Sequence, residues 1–326
     1  MQRTASSFVR LSVCVIAAVL LPLSPLVSAR SQATTSRPQA AKSSVRTEML
    51  VSAGWLAQHL KDDEVIVIHV AREKSHYDAG HIPGARYLPW SDLVTTRDGI
   101  ANELPPVEQL QQLFTRLGIG NKARVILYGD GSLLSATRAY FTLDYLGQGH
   151  RTALLDGGLE KWKADGRELS VETVNPAARE FVAVVHPEVV AGIDKARQYS
   201  TLASGNLQNT SLVDCRSEDQ FLGDTAAPNG QRTGHIPGAV NLYWVKQLTS
   251  RESPVLLPVS DLQAMFEAAG VPPGGKVMTY CNSGVQASHA YFVAKYLGYE
   301  TSMYDGSFSE WVKAENTKVV TGKSPK

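Results

Sequence analysis

The sequence predicts an α/β fold: two similar domains, each built on a mostly parallel sheet with helices on both faces. Three observations lead there. The chain has 326 residues, room for two domains of ordinary size. It also contains itself twice. "GHIPGA" stands at Gly80–Ala85 and at Gly234–Ala239; "LPPVEQLQQLF" (Leu104–Phe114) parallels "LLPVSDLQAMF" (Leu256–Phe266); "RVILYGD" (Arg124–Asp130) parallels "KVMTYCN" (Lys276–Asn282); "LLDGGLEKW" (Leu154–Trp162) parallels "MYDGSFSEW" (Met303–Trp311). The offsets are 154, 152, 152 and 149 residues, and landmarks at nearly constant spacing mark a duplication. Finally, strand and helix patterns alternate in both halves, which calls for a parallel sheet covered by helices.

The elements follow in order. Val65–Val70 is a short β-branched run. Val107–Leu117 has apolar residues at 107, 110, 113, 114 and 117, the spacing of one helix face, with Pro106 suited to its first turn and Gly118 to its stop. Val125–Tyr128 reads as a strand, Ala136–Leu146 as a helix closed by Gly147, and Ala153–Leu155 as a further strand. The second half repeats this with Leu212–Asp214, Val259–Ala269, Val277–Tyr280, Ala287–Leu297 and Thr301–Tyr304. The halves part near Ser170–Ala183, a stretch without a clear pattern.

Composition is that of an ordinary globular protein, 43% hydrophobic and 19% charged, with a net charge of +1. No bulk charge draws this chain to nucleic acid or to an anionic membrane. The N-terminus differs. Arg3 and Arg10 precede the apolar run Leu11–Leu23, and Val27-Ser28-Ala29 offers small residues for cleavage. Basic, apolar, small is a secretory signal pattern, so residues 1–29 are expected as a signal peptide and the protein as exported, to the periplasm, with no membrane attachment after cleavage. A retained N-terminal anchor is the alternative. Residues 30–47, rich in Ser, Thr, Ala and Gln, are expected as a disordered leader.

Of three cysteines, Cys14 sits in the signal run, leaving Cys215 and Cys281. Cys281 lies between a strand and a helix, in the polar turn Asn282-Ser283-Gly284-Val285-Gln286. In α/β sheets that is where sites form. Turn amides and a helix N-terminus favour a thiolate, so a depressed pKa is expected there. A phosphatase would need an arginine clamp six positions on; that position is Ala287, followed by Ser288, and no arginine occurs from Cys281 to the C-terminus. Sulfur transfer needs only a thiolate and amide donors, which this loop offers. Neither a metal-ligand spacing nor a phosphate loop is present, and no cofactor is expected.

The duplicated "GHIPGA", the "DCR" after a strand, the "YCNSGV" loop and the "DGSFSEW" ending resemble a tandem-domain rhodanese-type sulfurtransferase, over about residues 48–316. The resemblance implies two five-stranded rhodanese-like domains: residues 48–170, lacking the catalytic cysteine, and residues 186–321, carrying it, joined by a linker at 171–185. It agrees with the repeat, which aligns Cys281 with Gly129 and puts Asp130 next to it, where a carboxylate would repel an anionic substrate. It implies that Cys281 attacks the sulfane sulfur of a small donor and becomes a persulfide, which a thiol or cyanide then discharges, with a thioredoxin-like reductant as a further partner. Asn282, Ser283, Gly284, Val285 and Gln286 would bind the persulfide, through the amides of Ser283, Gly284 and Val285 in particular. The loop matches the mercaptopyruvate pattern Cys-Gly-Ser-Gly-Val-Thr better than the thiosulfate pattern Cys-Arg-Lys-Gly-Val-Thr. It departs from both where the family carries arginines: those positions hold Gln220 and Asn229, with Arg232 nearby. Gln220, Arg232 and His81 are carried as candidate substrate contacts, and Asp214 and Arg216 as structural.

The histidines of "GHIPGA", His81 and His235, recur in the half without a thiol and read first as architecture. Asp214 and Arg216 read as a pair fixing a strand end, with His69 and Arg72 as their counterparts. Cys215 reads as a core thiol rather than a resolving one, Trp162 and Trp311 as core or interface, and His289 as facing solvent. Two other functions fit the residues: a non-enzymatic persulfide- or thiol-binding module, and a redox partner pairing Cys215 with Cys281.

Overall fold

The computed structural model describes residues 11–14, 44–129, 131–225, 231–252 and 254–323. Most of the expected signal peptide and leader, together with Asp130 and Asn229, lies outside the described residues. The chain divides into two compact units at Gln39 and Ala40. In the first, residues 11–14 are exposed and without regular secondary structure. Everything below concerns the second.

Two sheets of identical topology account for the duplication. The first half runs β1 (Leu50–Val51), α1 (Ala53–His59), β2 (Val65–Ala71), α2 (Lys74–Asp78), β3 (Arg86–Pro89), β4 (Thr95–Arg97), β5 (Ile100–Glu103), α3 (Val107–Arg116), β6 (Arg124–Gly129), α4 (Leu134–Tyr145), β7 (Thr152–Leu155) and α5 (Gly158–Ala164). The second runs β8 (Val190–Ala191), α6 (Ile193–Ser204), β9 (Thr210–Asp214), α7 (Glu218–Leu222), β10 (Ala239–Asn241), α8 (Val259–Ala268), β11 (Lys276–Tyr280), α9 (Val285–Tyr296), β12 (Glu300–Tyr304) and α10 (Ser307–Lys313). The five-stranded sheets are ordered β1-β7-β6-β2-β3 and β8-β12-β11-β9-β10, parallel throughout. The central strands are buried on both faces, as helices on both sides require. The β4–β5 hairpin is antiparallel, and at the matching place in the second half Leu248 and Leu256 form a single antiparallel bridge.

Both "GHIPGA" histidines do the same structural work. His81 stacks on Tyr77 at 3.7 Å with Nδ1 2.8 Å from the Tyr77 carbonyl; His235 stacks on Phe221 at 3.7 Å with Nδ1 2.8 Å from the Phe221 carbonyl. The next residue, Ile82 or Ile236, donates its N–H to a tyrosine hydroxyl on the central strand, Tyr128 or Tyr280, each at 3.1 Å. Trp162 and Trp311 are likewise buried, their indole N–H groups held at 2.8 Å by the carbonyls of Glu168 and Lys318.

One hydrophobic core runs through both halves, because α4 and α9 pack on each other. Tyr140 meets Phe292 edge-on at 4.9 Å and Phe141 meets Tyr291 at 5.1 Å. Thr137 and Ser288 share a hydrogen bond at 3.1 Å, and Asp144 accepts from Tyr291 and Lys295. Two further bonds are reciprocal. Asp156 Oδ1 accepts the Leu256 N–H at 3.0 Å, and Asp305 Oδ2 accepts the Leu104 N–H at 2.7 Å. The aspartate of each "LLDGG" or "MYDGS" segment thus binds the other half's "LPPV" or "LLPV" segment.

Two segments expected outside the domains lie against the folded chain. The leader was expected to remain disordered to residue 47, but Val45 packs on the core and the Arg46 N–H donates to the Tyr296 carbonyl at 2.8 Å. The linker at 171–185 is laid along the first half, with Phe181 buried against Phe114 at 5.5 Å.

Candidate active site

Cys281 leaves the C-terminal end of β11, and α9 begins four residues later. Gly284 makes the turn possible. Its φ is +78°, and an added Cβ would stand 3.0 Å from Arg138 Nη1 and 3.1 Å from the Asp305 carbonyl, so only glycine fits. The loop amides are divided between two tasks. Those of Ala287, Ser283 and Gln286 act on the Cys281 sulfur and favour its ionised form. Those of Cys281 and Gly284 donate to Ser307 Oγ, at 3.3 and 3.1 Å. Of the expected persulfide-binding residues, Ser283 and Gln286 turn their amides to the sulfur and Gly284 is committed to Ser307, while Ala287 joins from the first turn of α9.

The expected depressed pKa of Cys281 is overturned. Burial pushes the thiol above its ordinary value; the Ala287, Ser283 and Gln286 amides pull it back, and Asp214 adds to the rise. Cys281 keeps 1% exposure, so loss of water outweighs three amides and a helix start. Burial likewise raises Cys215 well above its ordinary value, with Cys281 and Asp214 adding to the effect. Both thiols are free. Among the described residues no cluster of three His, Cys, Asp or Glu is placed to hold a metal ion.

The remaining sequence candidates separate. Asp214 and Arg216 form a buried pair, Nε to Oδ1 at 3.0 Å and Nη2 to Oδ2 at 2.5 Å, and Arg216 also donates to the Gly234 carbonyl at 2.7 Å. Their guanidinium lies 4.0 Å over the Phe308 ring. Of the counterparts, Arg72 instead lies 4.6 Å over Trp90, and His69 stacks on Tyr128 at 4.6 Å. Arg216, Gln220, Arg232 and Asn282 line a common cavity of about 270 Å³ beside the loop. Arg232 spends its donors on the Thr317 and Trp311 carbonyls, the Val312 carbonyl at 2.8 Å and Thr317 Oγ1 at 2.7 Å. His81 does not join this group. It is buried in the first half, with Nε2 3.1 Å from the Glu172 carbonyl. His289 is buried rather than facing solvent, edge-on to Trp244 at 5.7 Å. Burial lowers its pKa to about 3.

Four contributors escaped the sequence reading. Ser307 has φ +53°, a conformation that disfavours side chains; the repeat places Gly158, φ +57°, at the same point. A serine where the thiol-free half has glycine was a legible signal. Asn102, at φ +66° in the hairpin, donates to Ser283 Oγ at 2.9 Å. Arg138 and Asp305 form a buried pair at 2.7 Å behind Gly284. Local sequence carried no sign of those two cross-domain contacts.

A family model for the rhodanese-like domain matches residues 52–165 and 197–314. The chain belongs to the rhodanese-like family. It is 36% identical over 274 residues to a Saccharopolyspora erythraea protein named as a candidate thiosulfate sulfurtransferase, covering 82% of this chain and 94% of that one. It is 31% identical over 293 residues to the sulfur carrier protein TtuD of Thermus thermophilus, covering 85% and 98%. The crystal structure of YnjE superposes with a TM-score of 0.75 at 26% identity, over 85% of this chain and 70% of that one. An anaerobic ergothioneine biosynthesis enzyme from Chlorobium limicola shares the fold, with a TM-score of 0.73 at 24% identity. As a tandem rhodanese-like protein, the chain is a rhodanese-type sulfurtransferase working through persulfide chemistry.

Proposed function

We propose that Cys281 is the sulfur carrier, taking a sulfane sulfur from 3-mercaptopyruvate or thiosulfate and passing it to a thiol or to cyanide. The carrying observation is the convergence of the Ser283, Gln286 and Ala287 amides on the Cys281 sulfur at the start of α9. The Cys281 thiolate attacks the outer sulfur of the donor. An S–S bond forms, and the departing sulfite of thiosulfate, or the carbon of mercaptopyruvate, keeps the electron pair; that carbon then takes a proton to give pyruvate. An acceptor thiolate or cyanide next attacks the outer sulfur and releases Cys281 as thiolate. The two half-reactions make ping-pong kinetics the expectation, and the amides that face the sulfur stabilise its charge in both.

The keto acid is the favoured donor. Arg216 and Arg232 line the adjacent cavity but are spent on Asp214 and on backbone carbonyls, which leaves little for a compact dianion. Ser283 Oγ, held by Asn102, supplies a neutral polar contact. Intact mass after incubation with each donor tests this. A gain of one sulfur that Cys281→Ser abolishes and cyanide removes is expected; no gain with either donor refutes it.

A second reading, a carrier that loads but does not turn over, is favoured by the buried, raised thiol and by the name of TtuD. Steady-state turnover with cyanide separates the two. We further propose export to the periplasm, supported by the basic, apolar and small pattern of residues 1–29; N-terminal sequencing of periplasmic protein should begin at Arg30.

A further inference from the structure

Arg138 stands on α4 where the repeat has Ala290 in the second half, so nothing in the shared fold requires it. Its side chain is 0% exposed. Nη1 donates to Asp305 Oδ1 at 2.7 Å, while Nε and Nη2 have no hydrogen-bond partner among the described residues. Burying a guanidinium with idle nitrogens is unfavourable, and such an arrangement persists where something else depends on it. The guanidinium lies directly behind Gly284: a Cβ there would be 3.0 Å from Nη1.

Its partner leads to the same loop. Asp305 is held on its other oxygen by the Leu104 N–H at 2.7 Å. Two residues later Ser307, in the left-handed conformation at φ +53°, accepts the Cys281 and Gly284 amides on its hydroxyl. The first half thus reaches the Cys281 loop twice through one side chain, by contact with Gly284 and through the 305–307 turn.

We propose that Arg138, contributed by the domain that lacks the thiol, is a positioning residue for the Cys281 loop: it neutralises Asp305 and backs Gly284, so that the Ser283, Gln286 and Ala287 amides stay aimed at the sulfur. The consequence for sulfur transfer rests on the function proposed above; the consequence for thiol reactivity does not. The charged and titratable groups around the sulfur are Asp214, Arg216 and Cys215 at the end of β9. Asp305 pairs with Arg138 and acts on Glu103, and Arg97, Asp98, Glu310 and Lys313 line the same cavity as both carboxylates. Without Arg138 the local balance becomes more negative and the thiolate is disfavoured.

The test is site-resolved alkylation of Cys281 by iodoacetamide across pH, read by peptide mass in the full chain, for wild type, Arg138→Met and Arg138→Lys. Arg138→Met is expected to react about tenfold more slowly near neutral pH, with the midpoint raised by about one unit. Arg138→Lys keeps the charge but not the planar fork, and should keep the midpoint while reacting severalfold more slowly. A folded Arg138→Met protein with the wild-type rate and midpoint overturns the proposal. Should that variant not fold, Arg138→Lys decides alone, and wild-type kinetics overturn it. Sulfur loading of the wild-type chain is scored separately: an alkylation defect beside a wild type that never loads leaves this role standing and removes the sulfur-transfer reading.

Discussion

Because His289 is held neutral in the folded chain, acidification should destabilise the fold well before the carboxylates titrate. The ring sits on α9, fully buried against Trp244, and neither nitrogen has a hydrogen-bond partner among the described residues. Loss of water lowers its pKa from 6.5 to about 3. For a base with a depressed folded pKa the neutral form belongs to the folded state, and the unfolded chain takes up the proton first. Stability from this group is therefore complete above pH 6.5 and falls as pH drops from there toward 3. Between pH 7 and pH 5 a shift from 6.5 to about 3 removes about 2 kcal/mol, a large part of the usual reserve of about 5–15 kcal/mol. Other groups titrate in this range, so the assay is a difference. Urea unfolding of wild type and His289→Leu is measured at both pH values, and the wild type should lose about 2 kcal/mol more than the variant. Parallel pH dependences for the two proteins would refute the reasoning, whatever the variant does to absolute stability.

Three more outcomes follow from the site and the domain contact. Because burial raises Cys281, its alkylation should rise with pH through a midpoint above the free-cysteine value of about 8.5, and Cys215 should stay unmodified until the chain unfolds; a Cys281 midpoint near neutrality contradicts this. Ser307→Gly relieves a left-handed conformation but removes the hydroxyl that holds two loop amides. Stability should change by less than about 1 kcal/mol while sulfur loading slows, and wild-type loading would dismiss the hydroxyl's role. Asp156→Ala breaks one of the two reciprocal domain contacts, a hydrogen bond to a charged group, and should lower the unfolding free energy by about 1–3 kcal/mol; Asp156→Asn, which keeps an acceptor, should lose less.

The long elements were legible because each carries its own period. Val107–Arg116, Leu134–Tyr145 and Val285–Tyr296 follow the helices read from the sequence to within two residues, and β2, β6, β9 and β11 follow the strands. The edge strands β1 and β8 are two residues long, too short for any period to register. The β4–β5 hairpin carries polar and charged residues and gave no strand signal, yet it brings Asn102 to Ser283.

Sequence by itself determined the duplication, the alternation that makes both sheets parallel, and the cysteine between strand and helix at one of two matching turns. These are local patterns or spacings, and chain order suffices to express them. Only the tertiary structure decided the state of that cysteine. The sign of its pKa shift depends on how much water the folded loop excludes, and burial outweighed the amides that local sequence could foresee. Tertiary structure also decided who supports the loop. Arg138 lies 143 residues before Cys281, and Asn102 lies 179 before it. Their approach depends on the packing of α4 against α9 and on the path of a hairpin, neither of which any local pattern encodes.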